Sequence, residues 1–403
     1  MRILMLNHEY PPVGGGGGVT HALAAEELAR RHRVCVVTSA FEDLPLSEVR
    51  NGVEIRRARV AGRSDRSAAT LGSLLTFPPA ALALGLQLVS RRRFDVVHAH
   101  FAVPTGPASV PLASLARAPH VVSLHGGDIY DPSKRLSPHR IPSVRRVVTW
   151  VLRRSAAVVA QSRNTRANAY RYTGYRGPIE VIPLGIRKPS VRPAARAELG
   201  LPEGFLAVTV GRLVTRKGVH HVLDALAWPG CESVRLVVVG EGPQLEALRA
   251  LAEHAGLGPR VVFTGWVDEA RKWQILTCAD AYVSSTMHEG FGLVYLEAMA
   301  AGLPVITSDH GGQVDFLRDG ENGYLVPPSD GSAIGEAIGR LVADPGIGGR
   351  IRATNLRDAE RHGSERCARS YEALYEGLVE ARRPGLARLS NRAREREVGG
   401  AHA

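Results

Sequence analysis

The chain has 403 residues, 44% hydrophobic and 22% charged, with 51 Lys and Arg against 39 Asp and Glu, a formal charge of +12. Such a composition can bury sizeable cores and excludes disordered, collagen-like, mucin-like and disulfide-scaffold classes; at about 150 residues per domain it predicts two or three domains. Cys35, Cys231, Cys278 and Cys367 lie far apart with no C-x-x-C spacing, which predicts isolated structural thiols in a reducing compartment.

The first apolar run stops at Asn7-His8-Glu9, too short for a signal segment, and predicts a buried strand. Pro11-Pro12-Val13 and the glycines Gly14 to Gly18 then predict a loop able to wrap backbone N–H groups around an anion, before a helix from about Val19. Strands are expected at 3–6, 34–38, 53–57, 96–99, 120–124, 157–160 and 180–182, then at 207–210, 235–239, 261–264, 281–284, 304–307 and 323–326. Their alternation with helix-like segments predicts two doubly wound, Rossmann-like α/β domains. Leu71 to Val89 is apolar enough to suggest a membrane span, but Pro78-Pro79 and the polar Ser73, Thr76 and Gln87 favour a buried pair of helices. The expected boundaries are a first domain at 1–187, a Pro-rich linker at 188–195, a second domain at 196–361, a helix at 362–383 and a disordered tail at 384–403.

Charge is uneven. Residues 1–187 hold 26 basic and 12 acidic side chains, net +14, and the remainder holds 25 and 27, net −2. Between Pro132 and Ile179 there are eleven Lys and Arg and no acid. Within it Val144, Val147, Val148, Val151 and Leu152 recur at helical spacing among Arg145, Arg146, Arg153 and Arg154, with Trp150 nearby. Two readings stay open: a helix packing valines on a sheet with arginines at its rim, or a helix lying on an anionic membrane or acceptor. Nucleic acid is not expected as a partner, because no aromatic interleaving or zinc spacing accompanies the charge.

The most informative string runs from Ser284 to Ile306 and contains His288-Glu289-Gly290-Phe291-Gly292-Leu293 and then Glu297. It leaves a predicted strand at its carboxyl end, passes a glycine-rich turn and enters a helix, which is where open α/β sheets bind ligands. Gly290 and Gly292 permit close backbone approach, and the helix N-terminus offers N–H groups and a positive dipole end to a diphosphate. Glu289 and Glu297, eight residues apart, suit charge-assisted hydrogen bonds to sugar and ribose hydroxyls. The loop Gly211-Arg212 to Lys217-Gly218 places a guanidinium and an ammonium at a βα turn, and Gly240-Glu241-Gly242 follows another strand. Leu245 breaks the dinucleotide fingerprint, and Arg216 stands where a P-loop needs glycine. No Asp-x-Asp occurs.

On these residues the chain resembles the retaining GT-B glycosyltransferases of glycosyltransferase family 4, in order over residues 1 to 382. The resemblance implies two Rossmann-like domains facing across a cleft, with the C-terminal helix packing back towards the first. It implies that Arg212 and Lys217 grip the donor diphosphate, Glu289 holds the sugar, Glu297 holds the ribose and His125, at a strand end before Gly126-Gly127, faces the transferred sugar. Gly17, Gly18, Gly211, Gly240, Val267, Phe291, Gly292 and Leu293 complete the donor-binding set. Ser285 to His288 replaces the family's Pro-Ser, and Asp315 stands where Glu is usual. The implied activity is metal-independent, cofactor-free transfer from a UDP- or GDP-linked sugar to an acceptor hydroxyl on a sugar, a lipid-linked precursor or a metabolite. A cytoplasmic location is expected, with the inner membrane face open as a site of peripheral attachment. The alternatives are an epimerase of the same fold, a sugar phosphorylase and a basic nucleic-acid binder.

Overall fold

The computed structural model describes residues 1–66, 68–134 and 136–382; the tail expected at 384–403 lies outside the described residues. The first sheet contains β1 (Arg2–Leu6), β2 (Arg33–Ser39), β3 (Ser47–Arg50), β4 (Val53–Ala58), β5 (Val96–His100), β6 (His120–Leu124), β7 (Ala157–Ala160) and β8 (Glu180–Val181), in the order β3-β4-β2-β1-β5-β6-β7-β8. The second contains β9 (Leu206–Val210), β10 (Arg235–Val239), β11 (Val261–Gly265), β12 (Ala281–Val283), β13 (Val305–Ser308) and β14 (Gly323–Val326), in the order β11-β10-β9-β12-β13-β14. The helices are α1 (Gly16–Ala29), α2 (Leu71–Arg91), α3 (Gly106–Ala116), α4 (Pro142–Arg154), α5 (Arg163–Thr173), α6 (Val219–Ala225), α7 (Leu245–His254), α8 (Glu269–Cys278), α9 (Leu293–Ala300), α10 (Gly331–Ala343), α11 (Pro345–Ala359) and α12 (Ser364–Glu380).

Strands β1, β5 and β6 are buried almost throughout, β1 through an apolar run and β5 and β6 with His98, His100, His120 and Ser123 among their apolar residues, because helices cover both faces of a parallel sheet. α1 and α12 close one face around Ile3, Met5, Val36 and Val121; on the other, Phe77, Ala81 and Leu88 of α2 and Ala108 and Leu112 of α3 pack with Leu4, Leu6 and Val97. In each sheet the strand order reverses beside the first strand of the domain, at β1/β5 and at β9/β12. Adjacent loops diverge there and leave a crevice.

Three features differ from expectation. β3 is an antiparallel edge strand paired with β4, turned by Asn51 (φ +50°) and Gly52 (φ +80°); two positive φ values make the hairpin turn that Asn-Gly favours. α1 starts at Gly16, so Gly16 to Gly18 form its first turn and not a loop before Val19. The apolar segment from Leu71 is one helix, not a buried pair: Leu71, Leu75 and Leu86 are 58%, 67% and 41% exposed.

After β14 and α10–α11 the chain returns to the first domain. α12 lays Tyr371 and Tyr375 against its core, and Glu372 meets Arg31 at 2.8 Å and His32 at 2.6 Å. Tyr375 is wholly buried and its hydroxyl pairs with His98 Nδ1 at 2.6 Å. Tyr375→Ala is expected to cost about 3–5 kcal/mol in urea unfolding and Tyr375→Phe about 1–2 kcal/mol; small, equal losses for both would mean that α12 is undocked in solution.

Candidate active site at the interdomain cleft

Because β9 and β12 are the switch-point strands, the loops Gly211–Gly218 and Ser284–Gly292 lie side by side. Glu289 from the second meets Lys217 from the first, Oε2 to Nζ at 2.5 Å, with both side chains largely buried. Burial alone would raise the Glu289 pKa, but Lys217 and then Arg216 outweigh it and hold the carboxyl below the usual glutamate range. Arg216 also braces the loop, donating to His288 O at 3.1 Å while its own carbonyl accepts from Met287 N at 2.8 Å. Gly240 (φ +133°) is required by crowding, since a Cβ there would lie 2.1 Å from Gly211 O and push the β9 and β10 turns apart.

Gly292 caps α9, whose first-turn N–H groups, beginning at Leu293, point out of the helix towards the crevice. Glu297, one turn further, pairs with Lys272 of α8 at 2.8 Å, and Lys272 also reaches Glu269 at 2.6 Å. Burial outweighs Lys272 and raises the Glu297 carboxyl, whereas Glu297 and Glu269 together overcome burial and keep Lys272 above its ordinary value. Of the expected donor set, the Phe291 ring is buried and packs at 5.1 Å on Phe316, which leaves its backbone to face a ligand, and Val267 packs half-buried against the same core.

The first domain supplies the opposite wall. His125 directly follows β6, packs its ring at 4.3 Å on Phe101 and lies 3.0 Å (Nε2) from His100 Nδ1. Burial, and then His8, pushes its pKa down to about 3, so the imidazole is neutral. Gly17 and Gly18 sit in the first turn of α1, where added Cβ atoms would lie 2.5 Å from the Phe101 ring and 3.3 Å from the Glu9 backbone; one on Gly16 would lie 3.7 Å from Leu293. The N-termini of α1 and α9 therefore converge on the same space, and Lys217 and Arg212 add cations beside it.

The two walls touch at Gly290. Its carbonyl accepts from Ser162 Oγ at 2.7 Å and from Thr165 Oγ1 at 3.1 Å, and Arg163 N donates to Asp315 Oδ2 at 2.6 Å. Arg216 and Asp131 pair at 3.7 Å, and Arg212 and Asp65 at 3.8 Å, across the same gap. The arrangement offers cations and helix N-termini to a diphosphate, with Glu289 and His125 beside them for hydroxyl groups.

Sequence reasoning did not single out Ser162, Thr165, Gln161, Asp128 or Lys272. Ser162 had a local signal, a serine after a strand with threonine three residues on, and it caps α5 through Thr165 N. Asp128 ties two strand ends together, accepting from Ala102 N at 2.7 Å and His125 N at 3.0 Å. Among the described residues, no group of three or more His, Cys, Asp or Glu is arranged to hold a metal ion.

Residues 191–362 match the family described as Glycosyl transferases group 1, and residues 14–185 match the Glycosyl transferase 4-like domain. The chain is 32% identical over 372 residues to glycogen synthase of Mycobacterium tuberculosis, covering 86% of this chain and 87% of that one. It is 29% identical over 373 residues to the GDP-mannose-dependent alpha-(1-6)-phosphatidylinositol monomannoside mannosyltransferase of Mycolicibacterium smegmatis, covering 86% and 92%. Among solved structures, sucrose-phosphate synthase from Thermosynechococcus elongatus superposes with a TM-score of 0.81 at 25% identity, over 94% of this chain and 100% of that one. Two parallel-sheet domains facing across this cleft define a glycosyltransferase of the GT-B fold. The chain belongs to the Glycosyl transferases group 1 family, with a family 4-like first domain.

Asp128 yields a pH test. Burial raises its pKa from 3.8 to about 6, although the N–H groups of Ala102 and His125 pull it down. A carboxyl whose folded pKa lies above its unfolded one contributes stability fully below about pH 4, and that contribution is lost as pH rises through 6. At about 1.4 kcal/mol per unit, stability should decline by about 3 kcal/mol over that window. Asp128→Asn should lack this component in urea titrations; an unchanged pH profile in the variant would refute the assignment.

Proposed function

We propose that the protein transfers a sugar, with retention and without a bound metal, from a UDP- or GDP-linked donor to an acceptor hydroxyl. The observation that carries this reading is the convergence of Lys217, Glu289 and the N-terminus of α9 at the point where Gly290 meets the first domain. In the proposed mechanism, Arg212, Lys217 and the α9 N–H groups take up charge as it builds on the departing diphosphate. Lys217 then divides its attention between phosphate and Glu289, whose carboxylate stays ionised and accepts from the sugar hydroxyls. Glu297 serves the ribose. The acceptor attacks on the face that the leaving group departs from, its proton passing to the donor phosphate, so no side chain acts as a nucleophile. The closing contacts at Gly290 exclude water and limit donor hydrolysis.

A membrane-borne acceptor belongs to this proposal. The helices α2, α3 and α4 carry exposed Leu71, Leu75, Leu86, Leu115, Val147 and Trp150, and the sequence between 132 and 179, which includes α4, is rich in arginine and has no acid. Exposed apolar side chains beside arginines favour an anionic lipid surface, and they tilt the acceptor towards a lipid-linked one. The mycobacterial relative, named for a phosphatidylinositol monomannoside substrate, supports this tilt.

A thermal-shift panel of UDP, GDP and their sugars, with and without magnesium, tests the donor. One diphosphate should stabilise the protein by about 2.7 kcal/mol at 100 times its dissociation constant, with no magnesium requirement. Lys217→Ala should cut turnover by roughly 10²-fold or more, Glu297→Ala should weaken donor binding and His125→Ala should leave nucleotide binding intact. Sugar interconversion without acceptor would instead identify an epimerase. Vesicles containing anionic lipid should sediment the protein at low salt and release it at high salt; equal binding to neutral vesicles, or none to either, would rule out the membrane partner.

A further inference from the structure

At the end of the first sheet opposite the cleft, where its parallel strands begin, two adjoining cavities of about 590 and 570 Å³ share Arg2, His32 and Arg33 on their walls. The sugar-transfer mechanism uses neither. Together they are lined by five arginines, Arg2, Arg31, Arg33, Arg92 and Arg93, and by two carboxylates, Asp95 and Glu54. The cations come from three separate parts of the chain: the start of β1, the turn from α1 into β2 and the turn from α2 into β5. Arg2 and Arg33 are register partners on the neighbouring strands β1 and β2. Adjacent strands lie about 4.8 Å apart, so two like charges leave the sheet side by side, a placement that costs stability unless an anion offsets it.

The nearby acids are committed elsewhere. Glu54 takes Arg92 at 3.0 Å and Arg56 at 2.8 Å, Glu372 of α12 takes Arg31 at 2.8 Å and His32 at 2.6 Å, and Asp95 accepts from the backbone N–H of Arg2 at 2.6 Å. Arg2, Arg33 and Arg93 are exposed and form no ion pair among the described residues. α1 also ends here, at Ala29, but the negative end of its dipole is worth only about half a charge against three unmatched guanidinium groups. This surplus faces a space large enough for a whole small molecule. The second cavity adds Val34, Val49 and Phe94, so a ligand that spans the two meets apolar side chains as well as cations.

We propose that these cavities bind a phosphorylated metabolite, its phosphate held by Arg2, Arg33 and Arg93 and its remainder lying against Val49 and Phe94. Guanidinium forks match phosphate oxygens in pairs, which is why arginines serve this role better than point charges. The site is linked to the hinge, because Arg31 and His32 on the wall of the first cavity also hold Glu372. A bound phosphate repels that carboxylate and competes with it for Arg31. Binding and the docking of α12 are therefore opposed, and each weakens the other to the same degree. The site goes beyond the sugar-transfer reading and does not depend on it.

Isothermal titration at low salt with ribose 5-phosphate and with phenyl phosphate tests the site. Both should bind at one site per chain, and free ribose should not bind. Arg33→Ser and Arg93→Ser, each at an exposed position that the fold tolerates, should weaken binding about tenfold or more, whereas Lys217→Ala, in the cleft, should leave it unchanged. Glu372→Gln should tighten binding about threefold by removing the opposing carboxylate. Affinity that survives both arginine substitutions but falls in Lys217→Ala would place the anion in the cleft and overturn the proposal. Failure of the wild type to bind either phosphate compound, or equal binding of free ribose, would overturn it as well. Unchanged or weaker binding in Glu372→Gln would overturn the link to α12.

Discussion

A carboxylate largely withdrawn from water must be given a cation, and the second domain is built around that requirement at Glu289. Lys217 can satisfy it because β9 and β12 are neighbours at the reversal of strand order, so their loops leave the sheet edge together. Gly240 lets the β10 turn crowd against Gly211 without displacing this loop, and Arg216 pins the other side of the Glu289 turn. The helix that follows starts at Gly292, so the same turn that delivers the carboxylate also delivers a helix N-terminus. Charge placement, backbone turn and helix dipole are consequences of one topological feature.

The first domain meets this assembly through polar contacts, not through a shared core. Ser162, Thr165, Arg163 and Asp131 each make one hydrogen bond or loose ion pair across the cleft. Such contacts are individually modest and exchange readily with water, which suits a cleft that must open for substrate. α12 does the opposite: it inserts two buried tyrosines into the first domain's core and holds the chain ends of the two halves together. The hinge thus has one strong attachment and one weak, breakable face.

Much of the architecture was legible because parallel strands covered on both faces read as apolar runs, and all thirteen expected strands are present within a residue or two. β3 was missed although Asn51-Gly52 announced its turn, since Ser47 to Arg50 is polar and half-exposed on an edge. The glycine run was read as an anion-wrapping loop, yet its last three residues form the first turn of α1, where a Cβ on Gly17 would lie 2.5 Å from the Phe101 ring and one on Gly18 3.3 Å from Glu9. α2 defied its own hydropathy: composition says interior, while the fold covers only one side of it. In the site, the Glu289 and Lys217 strings were legible as motifs. Gln161, Ser162 and Asp128 were not, because a lone polar residue has no spacing to betray it and acquires meaning only when β5, β6 and β7 bring strand ends together.

On the proposed function, the crevice between the two sheets holds a nucleoside diphosphate against the second domain. The most direct measurement is a crystal structure of the protein with whichever of UDP or GDP stabilises it. The diphosphate should lie against Arg212, Lys217 and the N–H groups at Gly292 and Leu293, with the ribose near Glu297. A nucleotide bound with its phosphates away from Lys217 and the start of α9, or a cleft left empty at saturating nucleotide, would contradict it.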